Sequence, residues 1–524
     1  MFPQKQLTRP ATIPAPVGGI NSLTSLAAMQ PTDAIYLKNI DPTAYGLKVR
    51  PGYSEWANGF SGDEVKTIIP YKGTAEDGSE DLLLACTSVG IYDITSSTSS
   101  PVALLTWGTS NSSSGWCSFD TFTNDAGARV LLVCDLTNGY NIYTESTGLW
   151  SVPSISGVTA ANLVFVTIWK KRVWFIEKDT NNAWYTDVGV YSGTVQKFNY
   201  GSKFRAGGFL KALYAWTLDS GEGPDDYLVS ISSAGDVVVY AGTDPSSAST
   251  FGQVGVWFVG QFPKGRRVGS QFGGDLLLLS SYGVISCKDL LQGKNPFTEE
   301  GSLSYKINRL LNAKMRETIN SFGWEVKLHP DLAKIVICTP KESNQPYTQY
   351  VYDINLTSWG IWTGIPMITS ETSSNDIIAG AALSVHKITG FLDNVTLAAP
   401  DPQPIYWSFL TAYNELEEPQ INKIVEFIRP RFYAAAEPVY DVRAFYDYDL
   451  SEQSQVSGSS SIGTSVWDTA TWDTAIWGGG KQKFQDLRGS CGLGRTVAIA
   501  MSGASTVETY LVDIGIMWRS GGML

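Results

Sequence analysis

Short runs of β-branched and aromatic residues recur along most of the chain, separated by Gly, Asp, Asn and Ser. The stretch from Tyr227 to Lys288 shows the unit most plainly. Tyr227-Leu228-Val229-Ser230-Ile231 and Val237-Val238-Val239-Tyr240 flank a polar turn at Ser233-Ala234-Gly235-Asp236. Residues 276–279 and 284–287 flank Tyr282-Gly283 in the same way. Apolar runs of strand length joined by such turns predict antiparallel hairpins.

The hairpins group into successive sets of four strands. The first set covers residues 65–71, 81–87, 90–94 and 102–107, and the second 117–123, 129–135, 140–143 and 149–152. The third covers 163–169, 172–177, 183–187 and 195–198, and the fourth 210–218, 227–232, 237–241 and 254–259. A fifth begins at Arg267. A sixth covers 324–328, 334–338, 349–354 and 359–362, and a seventh 377–384, 387–392, 395–399 and 406–411. A repeat near ~50 residues built from four strands is the signature of a radial array. A sandwich also contains many short strands but does not predict consecutive four-strand sets. The expected fold is therefore all-β: a β-propeller of about seven four-stranded blades, with six as the other count, over residues 61–415.

The flanks read differently. Residues 1–60 carry Pro10, Pro14 and Pro16 and then Gly18-Gly19, which predicts an extended N-terminal arm with a short helix at 31–39. Residues 305–320 give the clearest helix, with Ile307, Leu310, Leu311 and Met315 at helical spacing. From Asn422 the strands lengthen (423–433 and 439–448), and a Ser/Gly-rich loop follows at 451–465. Residues 416–524 are expected to form a β-sandwich-like platform or docking domain.

Composition narrows the function classes. Charged residues make up 17% of the chain, below the ~25% typical of soluble domains, while aromatics reach 12%. Neighbouring subunits covering much of the surface would explain this, and so would strand-rich composition alone. The net charge of −12 argues against a protein that grips nucleic acid, which needs a basic stripe. It is compatible with a channel whose wall repels phosphate. The cysteines, Cys86, Cys117, Cys134, Cys287, Cys338 and Cys491, form no CxxC pair and read as buried free thiols. His329 and His386 lie outside any metal-ligand spacing. The N-terminus has no apolar h-region, so no signal peptide is expected, and no apolar run is long enough to predict a membrane span.

Motifs for chemistry are sparse. Asp225-Asp226 is a carboxylate pair of the kind glycoside hydrolysis uses, but acids in turns more commonly cap the local backbone. Asp447 and Asp449 lack the loop spacing of a calcium site. Neither a phosphate-binding loop nor a nucleophile elbow is present. No catalytic, cofactor or metal residue is therefore expected. Two features point to contacts instead. Lys264-Gly265-Arg266-Arg267 is a basic turn that reads either as a solvated loop or as a contact with acids on a neighbouring subunit. Trp467, Trp472 and Trp477 recur at a spacing of five. That spacing alternates faces on a strand and makes no stripe on a helix, so a series of turns fits it. The three rings read either as a cap on an apolar edge or as an interface.

Specific wording adds a resemblance. GTDPSSAST, VGVW, Gly265-Arg266-Arg267 and GGDLLLL resemble the propeller of tail nozzle or hub proteins of short-tailed bacteriophages. PAPVGGIN, MQPTDAIYLKNI and VRPGY resemble the entry segment of that family, and WDTATWDTAIWGGG and RGSCGLGRTVAIA extend the likeness. The resemblance implies a structural, non-enzymatic virion protein, assembled in the host cytoplasm: a hexameric ring continuing the DNA-ejection channel. Its implied partners are further copies of itself, a head-to-tail adaptor, and fibre, spike or needle proteins. Genomic DNA would pass through the lumen without sequence-specific binding. The other readings are a propeller lectin and a propeller glycosidase.

Overall fold

Pro224–Ser232 and Asp236–Gly242 pair antiparallel across the turn that the sequence marks, with Val229 opposite Val239. Leu210–Asp219 and Phe251–Phe258 flank them and complete a four-stranded sheet. The computed structural model describes residues 8–62, 64–219, 224–299, 301–397, 401–452, 454 and 481–523. They fall into two compact units, each discontinuous in sequence: residues 55–347 with 366–387, and residues 1–54 with 348–365 and 388–524.

The first unit holds a six-bladed β-propeller. Three blades precede the sheet just described: Thr67–Tyr71 to Val102–Thr106, Cys117–Thr123 to Leu149–Ser151, and Leu163–Trp169 to Gln196–Asn199. A three-stranded blade follows, Gly269–Phe272, Asp275–Ser280 and Gly283–Ser286. The last comprises Thr369–Ser373, Asp376–Ala381, Ser384–Ile388 and Tyr53–Asn58. Its fourth strand thus comes from ahead of the first blade, which closes the ring with chain from both sides of the repeat. The hairpin Glu325–His329 with Lys334–Cys338 packs between the inner strands of the fifth and last blades. Middle strands such as Val130–Cys134 and Leu276–Leu279 are apolar on both faces because a blade lies on each side of them. The helix Asn308–Thr318 follows a single 3₁₀ turn at Tyr305–Ile307 and buries Ile307, Leu311 and Met315.

The second unit contains a half-barrel sheet. In one sheet Thr509–Met523 lies between Gly46–Val49 and the long strand Ile421–Ala434. In the other, Ala34–Lys38 pairs with Gln403–Thr411, followed by Val497–Ser505 and Val439–Tyr446. Trp407 of this sheet meets Phe432 of the first at a ring separation of 6.3 Å. A buried network ties the N-terminal strands in. Arg50, 1% exposed, forms an ion pair with Asp393 at 2.7 Å and donates from Nε to Asn39 Oδ1 at 2.9 Å.

Three expectations are corrected. Residues 8–58 are not a separate extended arm but strands of the fold: Arg9–Pro14 pairs with Thr509–Met523, Ile13 facing Ile514. Pro10 and Pro14 hid this strand. They are tolerated because it pairs on one side only. Residues 31–39 hold the strand Ala34–Lys38 rather than a helix, since pairing with Gln403–Thr411 outweighs local propensity. The sixth and seventh four-strand sets do not form as read: Thr348–Asp353 and Ser358–Thr363 belong to the second unit, and the last blade takes Thr369–Ser373 and Tyr53–Asn58 beside Asp376–Ala381 and Ser384–Ile388 while Gln403–Thr411 joins the second unit. The expected divisions 1–60, 61–415 and 416–524 accordingly differ from the two compact units.

Candidate functional site: the axis of the propeller

The inner strands of the propeller run side by side around its axis, and the basic turn 264–267 enters that axis. Arg267 donates from Nη2 to the Lys66 carbonyl at 2.8 Å and from Nη1 to Thr369 Oγ1 at 3.0 Å. It also lies 3.4 Å from the Glu325 carboxylate. Its guanidinium sits 4.9 Å from the Trp116 ring centre. Trp116 stacks on Phe322 at 5.3 Å, and Lys264 lies 4.4 Å from the Phe322 ring. Each end of the turn thus supplies one cation to a stacked aromatic pair. Arg266 donates from Nη1 to the carbonyls of Leu210 and Lys211. Burial pulls its guanidinium down to about 10.

Trp116, Leu136, Val164, Arg266, Arg267 and Trp324 border a small cavity of about 10 Å³. A cavity opens on either side, and the inner strands divide their residues between the two. Leu163–Trp169 gives Val164 to one and Val166 and Thr167 to the other, while Leu210–Asp219 gives Lys211 to the first and Leu213 and Tyr214 to the second.

The first cavity, of 490 Å³, is cationic: Lys178, Lys211, Lys264 and Arg266 line it against a single carboxylate, Asp179. The second, of 210 Å³, carries three carboxylates, Asp120, Glu325 and Glu371, with Arg266, Arg267 and Lys327. Burial pushes Asp120 up to about 6, while Thr121 and Ile168 donate backbone N–H groups to it. Burial also raises Glu371, opposed in part by its ion pair with Lys327. Glu325 accepts from the Ser370 N–H at 3.2 Å and faces Arg267. The cavity therefore holds carboxyl groups in contrasting environments, one arrangement that separates an acid from a base.

The basic turn is not a plain solvated loop: Arg267 and the Nη1 of Arg266 are bonded within the propeller. Trp467, Trp472 and Trp477 lie outside the described residues. Asp226 pairs with Lys170 and accepts from Thr217 Oγ1, and the Lys170 contact lowers its carboxyl. Asp447 accepts from the N–H groups of Arg495 and Thr496, so it caps a loop. Among the described residues no group of three or more His, Cys, Asp or Glu is placed to hold a metal ion, and no helix is long and apolar enough to cross a membrane. All six cysteines are free; five are buried, but Cys491 is exposed on a loop, contrary to the expectation for it.

Sequence reasoning passed over Lys211, Asp120, Glu325 and Glu371. The available signal was a charge set inside an apolar strand run, as in Leu210-Lys211-Ala212-Leu213 and Trp324-Glu325-Val326.

No protein-family model matches the chain, and no curated protein matches it. Solved structures with a similar fold include the extracellular domain of the BT3049 hybrid two component system from B. thetaiotaomicron (11% identity, TM-score 0.41). That match covers 79% of this chain and 56% of that one, so the chain spans little more than half its length. Saccharomyces cerevisiae Sqt1 is similar at 12% identity and TM-score 0.38, over 69% of this chain and 96% of that one. BBS1N, from its complex with ARL6DN, is similar at 12% identity and TM-score 0.29, over 46% and 74%. Likeness at this level carries neither a partner nor an activity over to this chain.

Proposed function

We propose that the chain is a structural subunit of a short bacteriophage tail, a nozzle or hub protein that forms a hexameric ring on the DNA-ejection path. In this reading it is not an enzyme, and it meets an adaptor on one side and fibre, spike or needle proteins on another. The observation that supports it is the use made of the residues carrying the resemblance. Arg266 and Arg267 of the basic turn fill the propeller axis, and Arg50 of VRPGY anchors the N-terminal strands through Asp393. These residues are committed to architecture. The reading puts the conduit between subunits rather than along a propeller axis, where Arg267 bonds the Lys66 carbonyl and Thr369. The test is the symmetry of the protein in assembled particles. Six copies around the tail axis are expected, and a monomer in the mature particle overturns the reading.

A second reading, a propeller glycosidase, is favoured by one observation: Asp120, Glu325 and Glu371 line a single cavity. An oligosaccharide hydrolysis screen with wild type and Asp120→Asn tests it. Activity lost in the variant supports hydrolysis, and no activity in the wild type removes it.

A further inference from the structure

Lys211 is the most unusual cation in the propeller. It lies in the inner strand of the fourth blade, where pairing with the next strand steps from Leu210–Ser232 to Ala212–Ile231. Lys211 is the extra residue of a β-bulge, a device that re-aims a side chain out of the regular alternation. Here it faces the 490 Å³ cavity. The residue is only 4% exposed, yet no acceptor or carboxylate among the described residues pairs with its ammonium. A buried, unpaired ammonium is costly to a fold.

The surroundings deepen the cost. Arg266 lines the same cavity, spends only Nη1 on the Leu210 and Lys211 carbonyls, and leaves Nε and Nη2 without a hydrogen bond to the described residues. Lys178 and Lys264 are exposed on the lining, and Asp179, also exposed, makes no ion pair among the described residues. Burial, with the Arg266 charge beside it, pulls the Lys211 ammonium down to about 7. Phe209 and Phe262 give the cavity an apolar side. A volume of this size falls in the ~300–1,000 Å³ range of small-molecule sites, which combine apolar walls with a few convergent polar groups.

We propose that this cavity binds a small molecule ending in an oxyanion, a carboxylate or a phosphate, held by Lys211 and Arg266 with its apolar part against Phe209 and Phe262. The anion supplies the counter-charge that the fold omits, and the bulge at Lys211 is what aims the ammonium at it. This inference stands apart from the tail reading and survives if that reading fails.

The experiment is calorimetric titration of the full chain with inorganic phosphate, phenyl phosphate and phenylacetate, with benzylamine as the cationic control. Saturable binding of at least one anion, and none of benzylamine, is expected; the phosphate and carboxylate arms show which oxyanion the site prefers. Affinity for phenylacetate, whose own charge is constant there, falls as pH rises through about 7, because Lys211 loses its proton; Lys178, Lys264, Arg266 and Asp179 are the other charged groups on the lining. Binding below the change drives no proton exchange at Lys211, whereas binding above it takes up a proton, seen as a dependence of the heat on buffer ionisation. Lys211→Met lowers affinity about ten-fold or more, and Lys178→Met, on the exposed lining, lowers it less. No saturable binding of any anion, or unchanged binding in a folded Lys211→Met protein, overturns the proposal. If that variant does not fold, the wild type decides: absence of proton uptake when phenylacetate, which does not itself titrate there, binds above the transition overturns it.

Discussion

Arg267 Nη2 donates to the main-chain carbonyl of Lys66 at 2.8 Å across 201 positions of sequence. Lys66 precedes the first inner strand, Thr67–Tyr71, and Arg267 precedes the fifth, Gly269–Phe272. The same guanidinium reaches Thr369 on the last blade and Glu325 on the inserted hairpin. One side chain thus joins elements from widely separated parts of the propeller at its axis.

Replacing it tests that role. Arg267→Met leaves Glu325, itself 4% exposed, without its partner and frees two acceptors. Breaking a buried pair from one side costs roughly 3–5 kcal/mol. Urea unfolding should show a loss of this order, and adding Glu325→Gln to the Arg267→Met variant should recover part of it. Wild-type stability in the single variant would mean that Arg267 does not hold the ring together.

The acid limb of stability should carry a signature of His329. Its Nδ1 lies 2.9 Å from Thr372 Oγ1 and its Nε2 3.1 Å from Ser370 Oγ, so the buried ring sits between two hydroxyls. Burial, with Lys327 nearby, pulls the imidazole down to about 3 from 6.5. Above pH 6.5 the ring is neutral in both folded and unfolded chains and its contribution is intact. As pH falls from 6.5 toward about 3, the unfolded chain takes a proton that the folded chain refuses, and this contribution is lost. Other groups titrate in the same window, including Asp120, whose raised carboxyl acts with the opposite sign. The measurement is therefore a difference: stability of wild type minus His329→Gln across this range. The difference should fall steadily as pH drops, and a flat curve contradicts the assignment.

Gly52 makes a close approach that no other residue allows. A Cβ at this position would lie 2.0 Å from the Leu392 carbonyl oxygen, and Asp393, the next residue, holds Arg50. Gly52→Ala therefore has to displace backbone beside the Arg50–Asp393 pair. Thermal unfolding should show a loss of more than ~1 kcal/mol, beyond what helix or strand propensity produces. An unchanged melting temperature would show that this turn yields freely.

The propeller was legible because each middle strand is apolar on both faces and each turn carries Gly, Asp or Ser, as in Val237–Tyr240 after Gly235. Local pattern could not say which strands belong together across long gaps. Tyr53–Asn58 closes a blade whose other strands begin at Thr369, and Arg9–Pro14 pairs with Thr509–Met523; neither partner is marked in the sequence. The site was obscured for a related reason. Arg266 and Arg267 look like a surface turn by composition, and only the convergence of inner strands turns them inward. Lys211 depends on a bulge, a defect of register that a period-two reading averages away.

Trp467, Trp472 and Trp477 offer a test of the assembly reading that leaves the propeller alone. Replacing all three by Ser should preserve the fold of the isolated chain, followed by circular dichroism and melting, while preventing its incorporation into particles, because tryptophan contributes strongly at interface centres. Loss of melting temperature with normal incorporation would assign the rings to a local cap instead.

DNA gives the last test, and two observations set its direction. The chain carries a net charge of −12, so it lacks the surplus of cations that neutralises phosphates and releases counterions on binding. Its basic turn is also directed inward, since Arg267 bonds Lys66, Thr369 and Glu325, and Arg266 bonds the Leu210 and Lys211 carbonyls through Nη1 and otherwise faces a cavity of 490 Å³, too small for a duplex. Duplex DNA should bind weakly and without sequence preference at physiological salt. Arg266→Ala with Arg267→Ala should lower the stability of the protein and leave that weak binding unchanged. A filter-binding or fluorescence titration separates the cases. Tight binding in the wild type, or a marked drop in affinity in the still-folded double variant, would mean that the turn opens toward the DNA phosphates.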